Sequence, residues 1–238
     1  MKKILVSLVA LVCSMSMNAQ VMKVMKNGEV EATYKGSEYS VVFEEEQGST
    51  TTGTAKATIG GSEVDVNWVQ LWENGPKFAE YNVGVTDGKA ESYGGYYCWG
   101  SSIDQDSNGA YKSGTDALTG TDDTATNLWG SAWRMPTKAE LEALLANCDV
   151  EWTTVNDFKG RKFTGKGVYA SNSVFLPAAG FCSGGEVFTQ GYFGNYWSST
   201  PNGSDNACDL SFDSGGQHVD YYSYSRDLGY SVRAVLAE

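Results

Sequence analysis

Apolar and polar residues alternate in short runs along most of this chain, and glycine or asparagine breaks the runs. Val21-Met22-Lys23-Val24-Met25-Lys26 and Glu29-Val30-Glu31-Ala32-Thr33-Tyr34 flank Asn27-Gly28. Both central residues of a type I′ turn need positive φ, which Asn and Gly tolerate, so residues 21–34 are predicted to form a β-hairpin. Residues 39–43 add a short strand. The acidic triplet Glu44-Glu45-Glu46 and the Gly/Ser/Thr run at 48–53 then read as a solvated linker. This divides an N-terminal β leader at 20–53 from a main domain at 54–238. In the main domain, 55–59 and 63–71 flank Gly60-Gly61 as a second strand pair, with shorter strands expected at 173–176, 209–213 and 230–236.

Only 136–147 carries a convincing helical pattern. Thr137 is a natural N-cap with Glu140 three residues on, and Leu141, Leu144, Leu145 and Cys148 follow the spacing of one buried helical face. No repeat of about 20–50 residues is visible, which disfavours solenoids and propellers. The expected class is α+β, with few helices, short strands and long loops.

The start of the chain changes the compartment. Met1-Lys2-Lys3, an apolar run at 4–12 and then Met17-Asn18-Ala19 have the three parts of a secretory signal peptide at 1–19, cleaved after Ala19. Cys13 is the alternative, as a lipidated residue, although Val12 stands where a lipoprotein site takes a small side chain. The protein is thus expected to be secreted, periplasmic or at the cell surface. No later stretch reaches the roughly 20 apolar residues of a transmembrane helix. Loss of Lys2 and Lys3 takes the formal charge from −12 to −14, which argues against nucleic acid and anionic lipid as partners. Cys98, Cys148, Cys182 and Cys208 remain, and all three fully paired connectivities are open. None forms a C-x-x-C, and His218 is the only histidine, so no zinc site is expected.

Asp104, Asp106 and Asn108 occupy positions 1, 3 and 5 of a calcium-loop pattern with Gly109 at position 6, but Thr115 stands where the closing glutamate belongs. A solvated turn is the competing account, and no other cofactor is indicated. Residues 202–230 hold five aspartates, four tyrosines and one arginine, Arg226, with no Lys, Glu, Met or Trp. Tyrosine among serine, glycine and asparagine gives broad contact area with few rotors to freeze, as in an antibody paratope. The candidate ligand-binding residues are Asp205, Asp209, Ser211, His218, Asp220, Tyr221, Tyr222, Tyr224 and Asp227, facing a protein or glycan. Trp129, Trp133 and Trp197 read as core, and Arg134 and Arg233 as bridges to carbonyls or carboxylates.

Five ordered motifs carry a family resemblance. They are Tyr81-Asn82-Val83-Gly84; the run Asn127-Leu128-Trp129-Gly130-Ser131-Ala132-Trp133-Arg134-Met135-Pro136-Thr137-Lys138-Ala139-Glu140-Leu141; Phe175-Leu176-Pro177-Ala178-Ala179-Gly180; Tyr196-Trp197-Ser198-Ser199-Thr200; and Gly229-Tyr230-Ser231-Val232-Arg233. Over roughly 66–236 the chain resembles the Fibrobacter succinogenes major paralogous domain family of secreted, Bacteroidetes-type domains, which implies a C-type-lectin-like fold. The helix motif is also similar to that of formylglycine-generating and related oxidases on this scaffold. Those enzymes need a close reactive cysteine pair or a histidine-rich iron site, and this chain has neither, so no enzymatic activity is expected. The C-terminus resembles the variable region of proteins targeted by diversity-generating retroelements. That resemblance implies scaffold roles for Trp197, Phe212, Gly229 and Val232, display of Asp209, Ser211, His218, Asp220, Tyr222 and Tyr224, and an incidental exposed thiol at Cys208. Adenine mutagenesis of Asn codons cannot produce Lys, Glu, Met or Trp, the four types missing from the run. A structural subunit of a surface assembly is the alternative role.

Overall fold

The computed structural model describes residues 51–104, 110–220 and 224–237, together with the backbone of four strands ahead of residue 51. The chain divides into two compact units, Met1–Thr50 and Thr51–Glu238. In the first, β1 (Lys2–Leu5) lies within the stretch read as a signal peptide and pairs in parallel with β4 (Tyr39–Val42). The cleavage point after Ala19 and the alternative at Cys13 fall outside the described residues. β2 (Val21–Lys26) and β3 (Glu29–Lys35) pair antiparallel from Lys26↔Glu29 outward, with a bulge between Val24 and Met25.

The second unit opens with β5 (Thr52–Ile59), so Thr52 and Gly53 belong to a strand and not to the linker. Gly60 and Gly61 turn the chain at φ 59° and 79° into β6 (Ser62–Gln70), in full antiparallel register with β5. This sheet continues through β7 (Lys77–Ala79) to β18 (Val235–Leu236) and β8 (Trp133–Arg134), in the order β5-β6-β7-β18-β8. The end of the chain therefore sits between two earlier strands. Of the strand expected at 230–236, only Val235–Leu236 joins a ladder; Tyr230 and Ser231 make single bridges, to Tyr97 and Tyr196.

Two further sheets and one hairpin follow in sequence. β9 (Asp149–Val155) and β10 (Phe158–Thr164) form a hairpin that the apolar pattern did not reveal, joined by Asn156 and Asp157 at φ 45° and 70°. β11 (Ser173–Pro177) adds to β10, and β12 (Phe181–Ser183) pairs with β13 (Glu186–Phe188). β14 (Gly194–Asn202), β15 (Asn206–Phe212) and β16 (Gln217–Val219) form the last sheet, with β17 (Tyr224–Ser225) also on β15.

Two α-helices are described, one more than the periodicity indicated. α1 (Thr124–Trp129) is capped by Asp123, whose carboxylate accepts from Thr126 N at 3.0 Å and from Met135 N through both oxygens, at 3.1 and 2.9 Å. α2 (Lys138–Asn147) has the anticipated capping box, with the Thr137 and Glu140 side chains each accepting the other's backbone N–H. Reciprocal bonding satisfies two donors that the first helical turn would otherwise leave open. Leu141 and Leu144 are buried, each contributing about 1.5–3 kcal/mol of apolar transfer, and Cys148 ends the helix. Among the described residues no helix is long and apolar enough to cross a membrane.

Among the described residues, a small cluster of Tyr96, Ala179 and Cys182 and two large ones fill the interior. One is aliphatic and sets Leu141 and Leu144 of α2 against Phe163, Val174, Tyr196, Leu210 and Phe212. The other is aromatic and contains Trp129, Trp133 and Trp197, all buried, with Trp99, Tyr97 and Tyr230. Buried indoles need acceptors: Trp133 donates to Lys56 O at 2.8 Å and Trp197 to Tyr97 O at 2.9 Å. Arg134 holds both Glu140 oxygens, at 2.8 and 2.6 Å. Burial pushes the Glu140 carboxyl up, but the Arg134 and Thr137 hydrogen bonds outweigh it and leave the group below its usual range. Arg233, fully enclosed, donates to Asn82 Oδ1 and to the carbonyls of Ala79, Glu80 and Phe175 at 2.8–3.1 Å. A fixed planar donor set suits this stitching of three backbone carbonyls and one side-chain amide.

Candidate functional site

Strand alternation sorts the polar C-terminal run onto two faces of one sheet. On one face Tyr196, Leu210 and Val219 join the cluster under α2. On the other, cross-strand register aligns Asn195, Ser211 and His218 in one row, Trp197 with Asp209 in the next, and Ala207 with Tyr224 in a third. Phe193, Asn195, Ser211, Asp213, His218 and Tyr224 border a groove of about 230 Å³. Asp213 shapes its end: Oδ1 accepts from Gly215 N at 2.7 Å and Gly216 N at 2.9 Å, folding the turn that returns the chain to His218. Arg161 fixes the same turn from outside by donating to Asp213 O at 3.2 and 2.8 Å.

Phe193, at the groove's border, belongs to an exposed aromatic turn that sequence reasoning missed. Thr189, at φ 55°, accepts from Tyr192 N and Phe193 N, and this turn pushes both rings outward. Tyr192 is 67% exposed, Phe193 43% and Phe188 41%. The Lys159 ammonium lies 5.5 Å from the Tyr192 ring centre. The available signal was Gln190-Gly191-Tyr192-Phe193-Gly194, two adjacent aromatics between glycines, where no alternation hides either ring.

The predicted ligand residues separate. Ser211, His218 and Tyr224 border the groove. Asp205 and Asp227 are exposed but are not among its lining residues. Tyr221 and Tyr222 lie outside the described residues. Asp220 is not freely displayed: Lys138 Nζ binds Oδ2 at 2.7 Å, and Asn202 Nδ2 donates to Oδ1 at 3.0 Å. Asp209 is a correction, because it is 0% exposed instead of displayed; it faces inward beside Trp197 on the central strand. Arg226 is likewise interior: its guanidinium stacks 4.0 Å from the Trp99 ring centre and donates to the carbonyls of Asn206, Lys112 and Gly203 at 2.7–2.9 Å. Cys208 is buried, not an exposed thiol, and burial pushes its pKa up to about 11. Cys98, Cys148, Cys182 and Cys208 are all buried, and no disulfide joins any two of them, so none of the open connectivities is formed.

Asp209 is electrostatically unusual. Neither carboxylate oxygen has a hydrogen-bond partner. Burial, reinforced by the charge of Asp220, pushes its pKa up to about 8. Unpaired buried carboxyls neutralise instead of paying the full cost of desolvation. In the calcium-loop pattern, Asp104 Oδ1 accepts from Tyr96 N at 2.7 Å, while Asp106 and Asn108 lie outside the described residues. A larger cavity, about 560 Å³, lies elsewhere, between β5–β6 and β11. Its polar groups largely satisfy one another: Asn67 Nδ2 donates to Glu80, and Asn172 Nδ2 to Gln70 O, both at 2.8 Å.

Residues 146–235, which contain the whole groove, match a family model described as a domain of unknown function, DUF8237. No curated protein and no solved structure matches the chain.

Proposed function

We propose that this chain is an exported recognition module on a C-type-lectin-like scaffold of the Fibrobacter succinogenes major paralogous type, binding a protein or glycan through the groove bordered by Ser211, His218 and Tyr224. The observation that carries the reading is the groove: Ser211, His218 and Tyr224, from three different strands, converge there with Phe193 and Asn195. Phe188 and Tyr192, from the segment that leads into Phe193, are exposed as well. Rigid aromatics beside small hydrogen-bonding side chains bind at low entropic cost. For the scaffold, support comes from β18, which closes the domain by returning the C-terminus between β7 and β8.

The module is a binder and not a catalyst in this reading. Ser211, His218 and Asp213 share the groove, and Asp213 Oδ1 serves the turn by accepting from two of its backbone amides. The reading requires no cofactor. It also accommodates retroelement diversification, since Trp197, Phe212, Gly229 and Val232 are buried while Ser211, His218 and Tyr224 face the groove. A near-repeat of the codons for 195–235 beside a reverse-transcriptase gene is the expected genomic signature.

The functional test is to incubate labelled protein with arrays of surface proteins and glycans, comparing wild type with Phe193→Ala/His218→Ala. Selective binding lost in the variant supports the reading. Unchanged binding in the variant sinks it, and association with nothing but further copies of the chain would favour the structural-subunit role.

A further inference from the structure

We propose that Tyr224 covers an inner subsite, closed in this structure, at which Asp209 takes the side-chain ammonium of a lysine presented by a protein partner. The inference rests on the recognition face proposed above and names what that face selects.

Register supplies the geometry. Ala207, Asp209 and Ser211 point to the same face of β15. Ser211 borders the groove on one side of Asp209, and Tyr224, the cross-strand partner of Ala207, flanks it on the other. Tyr224 also borders the groove, so its ring spans the Asp209 row. Trp197 is the direct cross-strand partner of Asp209. Tyr230 stacks on Trp197 at 4.2 Å and meets Tyr224 edge-on at 5.7 Å. One carboxyl is thus set among three aromatic rings.

The carboxyl has no structural task to explain it. Asp123, the other aspartate buried to this degree, spends both oxygens on backbone amides, and Arg226 and Arg233 fill their donors with carbonyls and an amide. Among the described residues, Asp209 is the one buried carboxyl with neither oxygen bonded. Buried polar groups without partners mark strain or a ligand site. A carboxyl among aromatic faces is the chemistry that recognises an alkylammonium, the rings through their quadrupoles and the acid by releasing its proton to solvent and pairing with the incoming cation. The acidic surface, with a formal charge of −12 on the whole chain, attracts cations. The exposed Phe188, Tyr192 and Phe193 favour a protein partner over a polysaccharide, because they offer a non-polar margin larger than one sugar ring covers.

His218, the only histidine, borders the groove and gives isolated imidazole NMR signals in the full chain. The probes are Nα-acetyl-lysine methylamide, its uncharged norleucine counterpart and glucosamine. The lysine probe is expected to shift the His218 signals saturably, and the other two to act at least tenfold more weakly. Asp209→Asn, which removes the ionisable carboxyl and keeps the side-chain shape, should fold and lose at least tenfold in lysine affinity. Tyr224→Phe should keep it, and Tyr224→Ala should weaken it. Equal binding of lysine and norleucine probes overturns the proposal, as does undiminished lysine binding by the Asn variant. Glucosamine binding as strong as lysine binding also overturns it, in favour of an amino-sugar ligand. If Asp209→Asn keeps an array-selected partner that Phe193→Ala/His218→Ala loses, the subsite fails while the recognition face stands.

Discussion

Arg226 and Asp209 come from the same polar run and are both fully buried, yet only Arg226 is paired. Its guanidinium finds three carbonyls and an indole face, so its burial cost is offset. Asp209 finds no partner and carries a proton where an ordinary carboxyl would not. Its folded pKa, about 8, lies above the value of 3.8 expected when exposed. The stability from its protonated form is therefore fully present below pH ~4 and is lost as pH rises toward ~8. Asp209→Asn should remove that loss, raising stability at pH 8 by about 2 kcal/mol or more while leaving it nearly unchanged at pH 4. Urea unfolding at the two pH values checks this; equal effects at both would show that ionisation is not the cause. The burial of this residue was not legible in sequence, because an aspartate in a run of Ser, Tyr and Gly has the signature of a surface loop.

At the scale of elements, what was legible followed local chemistry. Thr137 and Glu140 announced α2 because a capping box needs only residues three apart. α1 escaped because a helix of six residues is too short to display a period, and its cap, Asp123, is completed by Met135 from beyond the helix. The β9–β10 hairpin escaped because Gly160 and Arg161 interrupt the apolar alternation; both are buried by other parts of the fold. The exposed aromatic turn depends on Gly180, at φ 74°, which donates to Phe193 O at 2.7 Å. A Cβ there would run into the carbonyl oxygen of Phe188. Gly180→Ala should cost about 2 kcal/mol or more and displace the turn that presents Tyr192 and Phe193. Thermal unfolding and the quenching of exposed tyrosine fluorescence measure the two effects, and a variant as stable as wild type would refute the assigned strain.

Over the whole molecule, the last strand closes the first sheet. β18 pairs with β7 through Val235↔Phe78 and with β8 through Val235↔Arg134 and Leu236↔Trp133. Val235 is fully buried in the aliphatic cluster. Truncation before Val235 should abolish cooperative unfolding, since it removes an interior strand and leaves two sheet edges open. A sharp calorimetric transition in the truncated chain would show that closure is dispensable. By itself the sequence determined the hairpins at Asn27-Gly28 and Gly60-Gly61, the capped helix and the tryptophan core, because turns, caps and bulky apolar side chains act over a few residues. Only the tertiary structure decided which polar residues are surface. Facing is set by register between strands far apart in sequence, and that register turned Asp209 and Arg226 inward while leaving Ser211, His218 and Tyr224 along the groove.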